Sequence, residues 1–126
     1  QKVIYFVLDL NKREKDIRKL VSNIEICIIN VLKRYNIKSY PDKKNIGIWV
    51  KNKNSIMKVA AIGIRVKKWV AYHGFSINVS NDLEKYQAIN PCGIKDKSMT
   101  NLQIIKKNNY DNINKIIEES FLEIFQ

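Results

Sequence analysis

A change of hydrophobic period part-way along the chain restricts its fold more than any other feature. Ile17, Leu20, Val21, Ile24, Ile28, Val31, Leu32 and Tyr35 follow the i, i+3, i+4, i+7 spacing of one helix face. From Ile46 onward the apolar residues fall instead into short runs, at 46–50, 56–66 and 70–79. Such runs read as strands. Tyr110, Ile113, Ile116, Ile117, Phe121 and Ile124 then return to helical spacing. A strand region between two amphipathic helices predicts a layered α/β or α+β fold. The 126 residues amount to one domain, spanning 1–126.

The finer pattern adds elements and joints. Val3 to Leu10 is a nearly continuous apolar run and reads as a buried strand. Asn11 followed by Glu14 has capping-box spacing, so the first helix is expected to start there. Ile26 and Ile29 lie off the stripe, so that helix is expected to touch neighbours on more than one side. The segment 36–45 reads as a loop. The first two strands of the β region read as a hairpin with a five-residue loop, Lys51 to Ser55. Lys67-Lys68-Trp69 is the next turn. Asn81 and Glu84 repeat the capping spacing and predict one helical turn from Asp82 to Gln87, before a loop from Asn90 to Lys97. Gly47, Gly63, Gly74 and Gly93 all fall within this β-rich middle.

Charge and cysteine content narrow the class. Two cysteines in 126 residues exclude a disulfide-rich secreted scaffold. No apolar run reaches the ~18 residues of a membrane-spanning helix. The start, Gln1-Lys2-Val3, has neither a signal peptide nor an initiator methionine and reads as the later part of a longer chain. The net charge of +11 suits an acidic partner. It comes from 19 Lys and only 4 Arg, alongside 21 Ile and 15 Asn, the mixture that A+T-rich coding produces. Four scattered arginines do not make the base-reading surface of a nucleic-acid binder.

A few residues could carry chemistry. Cys92 sits in Asn90-Pro91-Cys92-Gly93, where proline restricts the backbone and glycine admits a close neighbour. It reads either as an exposed loop thiol or as a small apolar turn residue. Cys27, among isoleucines, reads as core filler. Lys58 stands in an apolar strand, and alternation groups it with Ile56, Ala60, Ile62 and Ile64. Two readings stay open: an ammonium losing its proton through burial, or one snorkelling from a strand end. His73 alternates with Ala71, Phe75, Ile77 and Val79 and is expected in the core. One histidine and two separated cysteines fit no usual zinc spacing. Neither a GxGxxG, a P-loop nor a GxSxG motif occurs.

Taken together, these segments resemble the lipoate-protein octanoyltransferases. The resemblance is carried by Lys58-Val59-Ala60-Ala61-Ile62-Gly63-Ile64-Arg65-Val66 and by Trp69 to Val79 with His73-Gly74-Phe75-Ser76-Ile77-Asn78-Val79. It continues through Asp82-Leu83, Ile89, Pro91-Cys92-Gly93-Ile94 and Thr100-x-Leu102, with 34 residues from the lysine to the cysteine. The resemblance implies a fold like the biotin and lipoate protein ligases, a mixed sheet with flanking helices. It implies transfer of an octanoyl group from acyl carrier protein to a lysine of lipoyl domains, those of 2-oxoacid dehydrogenases and of the glycine cleavage H protein. It implies that Cys92 holds the acyl group as a thioester and that Lys58 lowers the thiol's pKa and acts as acid/base. Substrate contacts would come from the backbone of Ala61, Ile62 and Gly63 and of Gly74, Phe75 and Ser76. The reaction would need no cofactor and no metal and would run in the cytoplasm, without membrane or nucleic acid as partner.

The chemistry of the residues agrees with that implication. A free thiol with pKa ~8.5 is only a few per cent thiolate near neutrality, and an adjacent ammonium raises that fraction. One departure stands out. The family carries an upstream Arg-Gly-Gly segment and a Tyr-His-Gly-Pro-Gly loop, and Gln1 matches the residue just after that loop. The segment alone is therefore expected to have little transferase activity and to expose apolar sheet surface. The alternative is a non-catalytic relic of the fold that binds acidic proteins or nucleic acid through its lysines.

Overall fold

The computed structural model describes residues 1–83 and 99–126. Among these described residues five strands form one sheet: β1 (Lys2–Asp9), β2 (Tyr40–Pro41), β3 (Ile48–Asn52), β4 (Ser55–Lys67) and β5 (Val70–Ile77). Their order is β1-β5-β4-β3-β2, and every neighbouring pair is antiparallel. A parallel bridge from Lys58 to Met99 makes the sheet mixed. The helices are α1 (Ile17–Arg34), a short α2 (Leu102–Ile105) and α3 (Ile113–Phe125). Helices α1 and α3 pack together and share one core with the sheet. Ile24, Ile28 and Leu32 of α1 and Ile113 of α3 are buried with Ile48, Val50, Phe75 and Ile77. This is the expected architecture of a mixed sheet with flanking helices.

The helix stripe lies where the spacing predicts, but the cap does not. Helix α1 starts at Ile17, and Asp16 caps it by accepting from the Lys19 amide at 3.0 Å. Asn11 sits in a single 3₁₀ turn over Leu10–Lys12, with its amide donating to Asp9 at 3.0 Å. Aspartate and asparagine cap equally well. The helix therefore begins at the cap that adjoins its apolar stripe. The Arg13 guanidinium donates at 2.5 Å to the carbonyl of Phe125, at the C-terminal end of α3. A cation there opposes the negative end of the helix dipole. Asn81 to Leu83 carry no helix, and the rest of the helical turn expected for Asp82–Gln87 lies outside the described residues.

Both hairpins are tighter than expected. Asn52 pairs with Ser55, so the first turn has two residues, Lys53 and Asn54, rather than five. Lys67 pairs with Val70, leaving Lys68 and Trp69 at φ +51° and +63°. Two positive φ values in a two-residue loop match the right-handed twist of the strands. Neither residue is a glycine, so the turn is held from outside. Leu10 donates to the Trp69 carbonyl at 2.7 Å and Asn11 Nδ2 to the Lys68 carbonyl at 3.0 Å.

The sheet face away from the helices is apolar and open on β1, where Val3, Tyr5 and Val7 are exposed. The exposed apolar sheet surface expected above is thus present. Gly74 pairs with Tyr5 of β1 and with Gly63 of β4. A Cβ on Gly74 would drive into the backbone carbonyl of Ile4. We therefore expect Gly74→Ala to destabilise the fold by roughly 2–4 kcal/mol, as overpacking against backbone does. Urea denaturation checks this, and an unchanged midpoint would contradict the packing argument.

Candidate active site

Small residues at the centre of the open face make a groove. The rows Tyr5–Gly74–Gly63 and Val3–Ser76–Ala61 each run across β1, β5 and β4. With glycine, serine and alanine on the two inner strands, the floor is largely main chain. The groove has a volume of about 420 Å³, and its lining includes all six of Ala61, Ile62, Gly63, Gly74, Phe75 and Ser76. These residues therefore lie side by side on adjacent strands. Val3, Tyr5, Arg65 and His73 also line it. The β1 contribution was not legible in the sequence, because a pairing between the first and fifth strands leaves no local signature.

His73 departs from its expected place in the core. It is exposed and adopts φ +70° inside a strand. That conformation takes it out of the alternation that buries Ala71, Phe75 and Ile77. Its ring lies 6.5 Å from that of Tyr5 and 4.9 Å from that of Tyr72. A non-glycine residue held at positive φ costs of order 1–3 kcal/mol, and such strain gathers at functional sites.

Lys58 also lies on a different face from the expected one. Ile48 pairs with Ala60 but the next residue, Trp49, pairs with Lys58. Val59 is the extra residue of a β-bulge, and a bulge re-aims the side chains beside it. Ala60, Ile62 and Ile64 pack into the core together with Met57. Lys58 shares the other face with Ile56 and, beyond the bulge, with Ala61 and Gly63 of the groove. Its Nζ lies 5.8 Å from the Trp49 ring centroid. The burial reading left open in the sequence assumed unbroken alternation, and the bulge removes that premise.

Cys92 and Gly93 lie outside the described residues, as does the predicted loop from Asn90 to Lys97. The residues on either side of that segment are anchored beside Lys58. The Thr100 amide donates to the Lys58 carbonyl at 2.8 Å, and the Asn78 amide to the Val59 carbonyl at 2.9 Å. Asn78 is 1% exposed. Its Nδ2 donates to the Thr100 carbonyl at 3.2 Å, while its Oδ1 accepts from Asn81 Nδ2 at 3.3 Å. Asn101 Nδ2 reaches back to the Asn81 carbonyl at 3.1 Å. In the sequence Asn78 stands out only as one residue of the His73–Val79 segment, and nothing there signals this clamp.

Cys27 is fully buried, as its surroundings predict. Burial pushes its thiol up to about 12, with the nearby Glu123 carboxylate adding to the effect. The folded protein then keeps a proton that the unfolded chain loses above its ordinary value. Stability from this group is full below pH ~9 and drains away as pH rises toward 12. Cys27 is expected to resist iodoacetamide in the folded protein at pH 8 and to react once urea unfolds it. Ready labelling of folded protein at Cys27 would refute this. Among the described residues no cluster of three His, Cys, Asp or Glu could hold a metal, and no helix is long and apolar enough to cross a membrane.

The family model of the lipoyl protein ligase A/B catalytic domain matches residues 1–122. The chain belongs to that family. Among its similar relatives is an octanoyltransferase of Rickettsia peacockii, 44% identical over all of this chain and 62% of its own length. One of Wolbachia pipientis is 42% identical over 99% of this chain and 62% of its own length. The chain thus spans about three fifths of the curated relatives it matches. Among solved structures, a biotin protein ligase from Aquifex aeolicus superposes with a TM-score of 0.71 at 19% identity, covering 98% of this chain and 52% of that one. A bipartite lipoate protein ligase from Thermoplasma acidophilum gives 0.69 at 12% identity, covering 98% and 49%. These likenesses show the ligase-like fold of this lipoyl protein ligase family member.

Proposed function

We propose that the chain is the part of an octanoyltransferase that carries the nucleophile and its lysine. The observation that carries this reading is the 39–44% identity to octanoyltransferases over essentially the whole chain. The groove supports it. From Ala61 to Arg65 the strand advances roughly 13 Å at ~3.3 Å per residue, comparable to an extended eight-carbon chain. The apolar flank of Val3 and Tyr5 suits that chain. Lys58 stands three residues before the groove begins, on the same face.

In this reading the Cys92 thiolate attacks the carbonyl of an octanoyl thioester on acyl carrier protein. A new C–S bond forms, the carrier's C–S bond breaks, and the leaving sulfur takes its proton from the Lys58 ammonium. Donor and intermediate are both thioesters, so no ATP is required. A lysine amine of a lipoyl domain, in a 2-oxoacid dehydrogenase or the glycine cleavage H protein, then attacks the second thioester. It gives up a proton and releases the Cys92 sulfur. The Lys58 ammonium favours the thiolate in the first step and, neutral once it has given its proton to the leaving sulfur, accepts the amine's proton in the second. The reaction needs neither cofactor nor metal and belongs in the cytoplasm. Acyl carrier proteins and lipoyl domains are usually acidic, which suits a +11 chain.

Incubation with octanoyl-acyl carrier protein followed by mass measurement tests the reading. The expected product is one octanoyl adduct on Cys92 that hydroxylamine removes. If a version extended to the relatives' full length forms no adduct, the reading fails.

A further inference from the structure

Lys58 is held by two neighbours on β3 and just before it. Its stem passes over Gly47. A Cβ built at Gly47 would lie 2.5 Å from Lys58 Cε, 3.3 Å from Lys58 Nζ and 2.8 Å from the Ala60 carbonyl oxygen. Gly47 also adopts φ +142°, which side-chain-bearing residues rarely enter. The ammonium lies within cation–π range of Trp49. Trp49 is paired directly across from Lys58 and is 4% exposed. Its Nε1 donates to the Asn45 carbonyl at 3.0 Å. The indole is therefore fixed by its own hydrogen bond and by strand pairing, independently of the lysine. The bulge at Val59 turns Lys58 toward this face, and the ring and the bare glycine receive it.

We propose that Gly47 and Trp49 are positioning residues for Lys58, the glycine leaving the channel for its stem and the indole face carrying its ammonium. The proposal rests on Lys58 being the acid/base group of acyl transfer, and its test reads Lys58 directly.

The full chain is dimethylated at its lysines with ¹³C-formaldehyde, and Lys58→Arg identifies the Lys58 signal by NMR. The expected signal is displaced upfield by the indole ring current. Trp49→Leu is expected to abolish that displacement and to lower the titration midpoint of Lys58 by roughly half a pH unit. Trp49→Phe is expected to keep part of both effects. Gly47→Ala is expected to abolish the displacement with the indole still in place. A Lys58 signal unmoved in the folded Trp49→Leu protein overturns the proposal. If that variant does not fold, a Trp49→Phe signal identical to the parent overturns it. Cys92 alkylation is followed in the same samples. A moved Lys58 signal with unchanged Cys92 alkylation supports the positioning role and counts against the acid/base role.

Discussion

Replacing Cys92 by alanine is expected to abolish the octanoyl adduct and to lower transfer by roughly a thousandfold or more. The thiol is the covalent carrier in this reading, so its loss removes the path rather than one stabilising contact. Cys27 cannot stand in for it. Its sulfur is buried, and its thiol is pushed up to about 12, so it is hardly ionised at neutral pH. A Cys92→Ala protein that still forms a hydroxylamine-sensitive adduct would place the nucleophile elsewhere. Retained transfer without any adduct would point to direct attack on the donor.

Lys58→Ala is the second large effect. Removing an ammonium that favours the thiolate raises the apparent pKa of Cys92. A rise of about one pH unit cuts the thiolate fraction at pH 7 about tenfold. The alkylation curve is therefore expected to move to higher pH. Transfer is expected to fall further, because the second step also loses its proton acceptor, a contribution typically of 10²–10⁴-fold. Lys58→Arg separates the two roles. Its guanidinium keeps the positive charge and cannot give up a proton. It is expected to leave the alkylation curve near the parent's while slowing octanoyl release to the amine. An alkylation curve that stays put in Lys58→Ala would remove the activating role.

Layer order and element type were legible in the sequence because each rests on a repeated signal. The stripe from Ile17 to Tyr35 makes α1, and the runs around Val50, Ile62 and Phe75 make adjacent strands of the sheet. What escaped were single-residue events. A capping residue is one side chain, and Asn11 and Asp16 carry the same chemistry. His73 left its expected face through one backbone angle. Lys58 changed sides through one extra residue, and nothing in Met57-Lys58-Val59-Ala60 reveals it, since apolar residues stand on both sides of the lysine. The groove was half legible. Its small residues on β4 and β5 could be named, whereas the Val3 and Tyr5 wall comes from strand order, which pairs β1 with β5 across most of the chain. Cys92 was named from its motif and its place in space lies outside the described residues.

The extra residue at Val59 works like a parity bit written into the backbone. Before it, even-numbered positions of the strand look away from the helices; after it, they look toward them. Loss of the one codon for Val59 would restore strict alternation and leave the amine and the groove on the face they share now. A one-residue gap between this lysine and Ala61 in a homologous chain therefore marks a bulge removed rather than a change of side, whereas a one-residue gap elsewhere in the strand exchanges the faces of the residues beyond it.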